Sequence, residues 1–310
     1  MTFVSATPLD VFADSGMDRD LAPRCCLSVS GGDAAEMAEA LESGADEIVL
    51  DLENSGPASC KTEARKRVFQ WLRAAEPLGI GIAVLVNPPR SAWCHADIEA
   101  CASAEAVRSI VVPKVENAGD LAFVDRLLDG VEAAHARKDQ LRVQALIETA
   151  SALAKLDEIV TATPRLRSLI LGYADLAASL GSRTRAGTAW LPVQHQLLVA
   201  ARAAGIGAID GPFLSVADDE DFAASAEHAA RLGFDGKWTV HPRQIETIIT
   251  AFTPDQREVA AAGRVLAALA QSRGLGAGSV TVDGQMIDEA VAAAARRTLG
   301  RAARSAPRWH

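Results

Sequence analysis

The basic excess that marks a nucleic-acid-binding surface is missing. The 310-residue chain has 31 Lys and Arg against 40 Asp and Glu, a formal net charge of -9 and a pI near 5.2. Phosphate backbones are normally met by the opposite balance, so nucleic acid is not an expected partner. No run of 18 apolar residues occurs, and no membrane-spanning helix is expected. The first twenty residues carry Asp10, Asp14, Asp18 and Asp20 and no basic residue before Arg19, unlike the start of a secretory signal. A cytoplasmic location is the expectation.

Cysteine is sparse and badly spaced for a metal. Cys25, Cys26, Cys60, Cys94 and Cys101 include no CxxC pair and read as reduced packing residues. No neighbouring base or helix start is in place to activate a thiol. The Gly-x-Ser-x-Gly of a serine nucleophile is also absent. So is the GxGxxG of a dinucleotide fold, of which SVSGGD at 28–33 is only an echo.

What the chain does hold is 49% hydrophobic residues, enough for one large core. Apolar runs recur at 26–29, 47–52, 82–87, 109–114, 143–148, 168–172, 208–211 and 238–241. Alanine-rich stretches of helical period lie between them, as at 34–44, 62–75, 120–134 and 191–205. Eight βα units in this length predict an α/β fold of the (β/α)₈ TIM-barrel type, and the missing GxGxxG weighs against a doubly wound open sheet. Residues 1–22 read as an extension, 23–250 as the barrel and 251–310 as a C-terminal helical extension. In that extension Thr253-Pro254-Asp255-Gln256 has the form of a capping box, predicting a helix to about Ser272. VDGQ then reads as a turn between short strands, followed by a helix with Asp288 and Glu289 at its start. The extension is not needed to close a barrel, so packing on the outside or on a neighbouring subunit is expected.

The most informative stretch is LRVQALIETASALAKLDEIVTATPRLRSLILGYADLAASLG, at 141–181. Two short apolar runs end in Glu148 and Asp175, with a crossover helix predicted over 150–161. Parallel neighbours would bring both acids to the carboxyl edge of the sheet, where α/β enzymes place their chemistry. Two hard oxygen donors there suit Mg²⁺. The other strand ends add Asp51, Glu53, Asn87, Lys114, Glu116, Asp210 and His241, a ring richer in carboxylates than in cations. Plainer roles stand beside these: Glu148 and Asp175 as helix-start residues, Asp51 and Asp210 as turn residues, Lys114 as an ion-pair partner and His241 as a supporting histidine.

Seven segments, ADEIVLDLENS with Lys61 and Arg65 behind it, VVPKVENA, ALIETASAL, LILGYADLAASLG, AARAAGIGAIDGPF, GFDGKWTVHPRQIETI and DGQMIDEAV, resemble the citrate lyase β-subunit-like branch of the HpcH/HpaI aldolase family. They span nearly the whole chain in the family's order. The resemblance implies a barrel with a C-terminal extension, assembled as a homotrimer or hexamer, with Mg²⁺ on Glu148 and Asp175. It implies a lyase that breaks or forms a carbon–carbon bond between an acyl-CoA and a 2-oxo acid, as in malyl-CoA or citramalyl-CoA lyases. Asp288 matches the carboxylate that relatives extend to a neighbour's site to move a proton or activate water. Lys114 and Asp51 join it as catalytic candidates, and Glu53, Asn87, Arg90, Gly172 and His241 are placed against substrate.

Some positions depart from the family pattern. Leu85 stands where the third strand usually carries arginine, with Arg90 beyond it as a replacement. His195 stands where a Leu-x-x-x-Arg spacing is usual, Asn54 replaces an aspartate, and the first strand ends in SVSGG. Three other readings therefore stand beside the lyase: an acyl-CoA thioesterase on the same site, a CoA-independent hydroxy-oxo-acid aldolase, and a non-catalytic binding barrel.

Overall fold

The computed structural model describes residues 22–74, 80–183, 188–274, 279–282 and 284–304; of the extension read at 1–22, residues 1–21 lie outside them. Eight parallel strands close into a barrel in chain order. They are β1 (Cys25–Ser30), β2 (Glu47–Asp51), β3 (Gly81–Leu85), β4 (Val107–Val112), β5 (Arg142–Ile147), β6 (Leu166–Leu171), β7 (Gly207–Asp210) and β8 (Gly236–Thr239). Closure is made by β1, which pairs with β2 on one side and β8 on the other.

The connecting helices are α1 (Ala34–Leu41), α2 (Lys61–Ala74), α3 (Cys94–Ala102), α4 (Ala118–Ala134), α5 (Ala150–Ala154), α6 (Leu156–Ile159), α7 (Tyr173–Leu180), α8 (Leu191–Ala203), α9 (Glu220–Leu232) and α10 (Ile245–Phe252). The crossover helix expected over 150–161 is two pieces, parted where Lys155 takes φ -128° and ψ 23°. Ala152, Leu156 and Ile159 are all buried and keep the i, i+4, i+7 spacing across the break, which is why the sequence reads as one helix.

Alternate strand residues face inward, as a barrel requires. Cys26, Val49, Leu85, Val111, Ile170 and Trp238 belong to one buried apolar cluster. Nearer the strand starts the filling turns polar. Gln144 donates to Glu47 Oε2 at 2.8 Å and to Ser109 Oγ at 3.1 Å, and Ser168 donates to Gln144 Oε1 at 2.9 Å. Cys25, Cys26, Cys94 and Cys101 are buried, and burial pushes their thiols up, Cys94 to about 12. Cys60 departs from the packing role expected of all five: it is exposed, in the short turn ahead of α2.

The described residues from Ala251 onward belong to a second compact unit. Helix α11 (Gln256–Gly274), the antiparallel strands β9 (Val280–Val282) and β10 (Gln285–Ile287), and α12 (Glu289–Arg304) make it up. The two helices meet through Ala262, Ala295 and Leu299 and through Leu269 and Ala292. The capping box sits two residues later than the sequence suggested. Asp255 accepts from the Glu258 amide at 2.7 Å, and Glu258 accepts from the Asp255 amide at 2.8 Å. Aspartate caps at least as well as threonine, and a glutamate three residues on completes the box. Among the described residues no helix is long and apolar enough to cross a membrane.

Where β6 begins, Arg165 ties α4 to the sheet. Its guanidinium meets Asp125 at 3.1 Å, Asp129 at 2.6 Å and Glu132 at 2.7 Å, and donates to the Leu141 carbonyl at 3.1 Å. Glu132 is buried and also accepts from the Leu141 amide. Arg165→Met strands that buried carboxylate, and the expected loss is about 3 kcal/mol in a denaturant titration. A loss under about 1 kcal/mol would show that water reaches Glu132.

Candidate active site

Glu148 follows β5 directly, and its side chain is only 3% exposed. A carboxylate so placed must be hydrogen-bonded or neutralised. Both needs are met by Lys114, just beyond β4. Its backbone amide donates to Glu148 Oε1 at 2.8 Å, and its ammonium lies 3.3 Å from the same oxygen. This takes an unusual backbone: Lys114 has φ 52°, in the left-handed region that L-residues with a side chain rarely adopt. The strained turn aims the amide and the ammonium of one residue at one carboxylate.

Next to Glu148, β6 ends in Gly172. A Cβ there would lie 2.6 Å from Glu148 Cβ and 3.0 Å from its Oε2, so the absence of a side chain is what lets the two strand ends sit together. Helix α7 starts immediately and carries Asp175 in its first turn. The Lys114 ammonium reaches Asp175 Oδ1 at 2.7 Å. One cation therefore spans the two carboxylates that the sequence singled out.

Glu53, past the end of β2, shares the same electrostatic field. Burial, then the Glu148 charge, pushes its carboxyl up to about 7, against the pull of Lys114. Glu148 is also pushed up to about 7, by burial first, although the Lys114 amide and ammonium act against it. Desolvation draws Lys114 down, but its hydrogen bond to Asp175 and the charge of Glu148 outweigh that, and its pKa is raised.

Most of the remaining candidates have partners outside this trio of acids. Asp51 is buried and accepts from the Asn54 amide at 2.7 Å and the Asn54 side chain at 3.0 Å, the plainer turn role, which shapes the loop carrying Glu53. Asn87 is buried with its side-chain amide on Asp97 at 2.7 Å, and Asp97 is held in turn by Arg65 at 2.9 Å. Arg90 is exposed and pairs with Glu116 at 3.5 Å. His241 caps the short turn that follows β8, accepting from the Arg243 amide at 3.2 Å. Leu85 is buried in the apolar cluster of the barrel and brings no donor to the mouth. Asp288 belongs to the second unit, where it caps α12 by accepting from the Val291 amide at 3.0 Å.

Sequence reasoning overlooked a second network. Asp210, placed in the mouth by its position after an apolar run, is instead buried with Lys237 Nζ on one oxygen and the Tyr173 hydroxyl on the other, each at 2.5 Å. Lys237 also donates to the Gly211 carbonyl at 3.0 Å, and Gln194 donates to the Tyr173 hydroxyl at 2.7 Å. The signal for it was a lysine inside the apolar run GKWTV: a buried lysine needs a buried acid.

Glu148 and Asp175, with Glu53 close by, offer carboxylate oxygens around a place that a cation already spans. The described residues contain no cluster of three His, Cys, Asp or Glu side chains that would enclose a metal. Two carboxylates with open positions left for water and substrate fit Mg²⁺ better than a closed zinc site. A closed eight-stranded parallel barrel with acids and a lysine at the carboxyl ends of its strands is the architecture of a barrel enzyme.

The family follows from comparison of the sequence. The chain belongs to the HpcH/HpaI aldolase/citrate lyase family, whose model matches residues 24–242, and it is an enzyme of that family. It is similar to the L-malyl-CoA/beta-methylmalyl-CoA lyase of Rhodobacter capsulatus, 33% identical over 285 residues that cover 86% of this chain and 90% of that protein. It is also similar to the (3S)-malyl-CoA thioesterase of Cereibacter sphaeroides, at 34% identity over 282 residues covering 90% of this chain and 94% of the relative. Among solved structures, it resembles the protein CitE from Mycobacterium tuberculosis in complex with magnesium, acetoacetate and coenzyme A. The TM-score is 0.73 and the identity 29%, with 92% of this chain and 99% of that one covered.

The raised carboxyls make a pH signature. Magnesium requires ionised oxygens, so an ion held on these carboxylates would displace the proton that Glu148 or Glu53 holds below about pH 7. The Mg²⁺ affinity is expected to fall about tenfold per pH unit below pH ~7 and to level off above pH ~8. Calorimetry in buffers of different ionisation enthalpy reads the proton release directly. A flat affinity between pH ~6 and ~8 would place the metal away from these groups.

Proposed function

We propose that the chain is a Mg²⁺-dependent carbon–carbon lyase that cleaves or forms a 3-hydroxyacyl-CoA thioester, with an acyl-CoA and a 2-oxo acid as the fragments. The observation that carries this reading is the bridging of Glu148 and Asp175 by one cation, Lys114, with Glu148 Oε1 fixed by a backbone amide. Glu148 and Asp175 are the residues to hold Mg²⁺. When bound, the ion supplies Lewis-acid stabilisation of the oxygen charge on the acid fragment.

The chain's own residues then divide the work. In cleavage, the bond between the hydroxyl-bearing carbon and the α-carbon of the thioester breaks and the hydroxyl proton is lost. The alcohol becomes the carbonyl of the oxo acid, and the bonding pair becomes a thioester enolate. Lys114, relieved of bridging two carboxylates, faces the oxygen on which charge develops. Glu53, with its carboxyl near 7, is tuned to hold or release the hydroxyl proton. The enolate carbon takes its proton from Asp288 of a neighbouring copy in a homotrimer or hexamer. The DGQMIDEAV motif and the half-buried place of Asp288 at the start of α12 support that role. In the condensing direction the same carboxylate removes the proton.

Leu85 leaves the acid fragment without a cation from β3. The similarity to a malyl-CoA thioesterase supports a second reading, in which Asp288 orients water against the thioester carbonyl. A cytoplasmic location belongs to the same proposal.

The test is a panel of 3-hydroxyacyl-CoA thioesters assayed with Mg²⁺ and with chelator, alongside Glu148→Gln and Asp288→Ala. Magnesium-dependent release of an oxo acid together with its acyl-CoA is expected. Loss of Glu148 should cost more than the roughly 10–100-fold that follows loss of an outer partner of a ligand. Free CoA without an oxo acid would establish the thioesterase. Intact thioesters with Mg²⁺ still bound would rule out both.

A further inference from the structure

Asp175 is 57% exposed along its side chain, so packing against neighbours does not set its position; the backbone of the first turn of α7 does. That turn lacks the usual anchor. Helices are commonly held at their start by a Ser, Thr, Asp or Asn side chain, but the cap of α7 is Gly172, which makes no side-chain bond. Any larger residue there would collide with Glu148. Space beside one acid has been kept at the expense of the cap that would locate the other.

The next residue supplies what the cap does not. Tyr173 donates its hydroxyl proton to Asp210 Oδ1 at 2.5 Å and accepts from Gln194 Nε2 at 2.7 Å. Asp210 is itself fixed by Lys237 at 2.5 Å. His228 Nε2 lies 3.3 Å from Gln194 Oε1, so the amide is turned with its nitrogen toward the phenol. The ring meets Trp190 edge-on at 5.2 Å. Gly211 makes room for it: a Cβ there would come within 2.8 Å of Tyr173 Cδ2 and 2.0 Å of the Leu171 carbonyl oxygen. Residues of β7 and α8 thus meet on one hydroxyl, backed by residues of β8 and α9, two positions ahead of Asp175.

We infer that Tyr173 is a positioning residue for metal binding: its hydroxyl, held by Asp210 and Gln194, fixes the uncapped first turn of α7 and so places Asp175 opposite Glu148. This rests on the reading that Glu148 and Asp175 hold Mg²⁺. Tyr173 does not touch the ion; it acts through the backbone, as an outer partner that orients a ligand.

Mg²⁺ binding to the full-length protein is measured by calorimetry for the wild type, Asp175→Asn, Tyr173→Phe and Thr163→Ala. The Thr163 hydroxyl also bonds a carboxylate, Asp125 at 2.7 Å, but at the opposite end of β6, so its loss reports general softening. Tyr173→Phe keeps the ring and is expected to weaken Mg²⁺ about tenfold, with kcat reduced and the KM for the thioester unchanged, while Thr163→Ala binds as the wild type does. Wild-type affinity in Tyr173→Phe, with binding abolished in Asp175→Asn, overturns this inference alone. Equal weakening in Tyr173→Phe and Thr163→Ala also overturns it, by showing a merely structural effect. No Mg²⁺ binding in the wild type overturns both this inference and the reading beneath it.

Discussion

The buried carboxylate of Glu148 is the constraint to which the mouth of the barrel is fitted. Taking such a group out of water costs several kcal/mol unless its oxygens are met by donors and its charge by a cation. The chain answers with the left-handed turn at Lys114, which supplies an amide and an ammonium together. A strained residue costs about 1–3 kcal/mol, less than an unmet charge would, so the strain is the smaller of the two penalties. The missing side chain at Gly172 belongs to the same solution, because the adjoining strand end must pass within contact of Glu148.

The solution is incomplete, and the remainder is chemically useful. One lysine faces Glu53, Glu148 and Asp175, and Glu148 keeps a carboxyl near 7 in spite of its bonds. A rise from 4.5 to about 7 corresponds to roughly 3 kcal/mol favouring the protonated form. Loss of that proton works against the apo fold as the solution becomes alkaline. The folded chain binds it more tightly than the unfolded chain, so this contribution to stability is present below pH ~4.5 and is lost as pH rises through ~7. A divalent cation bound there, as proposed, would relieve the same repulsion and be attracted by it. Structure and function here share one cause, an excess of negative charge held in a poorly solvated place.

Much of this was legible in the sequence because parallel strands buried on both faces are written as short apolar runs. All eight were visible, and the acids that end the fifth and sixth fell where βα order puts a barrel mouth. Glu148 and Asp175 were readable for that reason. Less readable was which strand-end residues look inward. Asp51, Asn87 and Asp210 each follow an apolar run as Glu148 does, yet each is occupied by a local partner, Asn54, Asp97 or Lys237. Position after a strand gives height in the barrel and leaves the azimuth open. The break at Lys155 escaped for a related reason, since the buried positions keep their helical spacing across it. The capping box at Asp255 was misplaced by two residues because Thr253 and Gln256 mimic the same signature.

The two networks around the end of β6 are coupled by chain connectivity, with no salt bridge needed between them. Gly172 faces Glu148 and excludes a cap; Tyr173, next along, turns outward to Asp210 and Gln194; Asp175 turns back to Lys114. Three residues within a run of four thus serve the barrel mouth, the outer layer and the mouth again, which requires a helix to begin at once, because an extended chain would alternate faces with a period of two and carry Tyr173 and Asp175 to the same side. The motif GYAD is therefore a geometric unit. Its glycine admits the first acid, its tyrosine holds the helix start, and its aspartate is delivered by the helical rotation between them. With Leu85 buried among Val49, Val111 and Ile170, β3 sends no cation to that mouth, and Lys114 is the cation that meets Glu148 and Asp175 there.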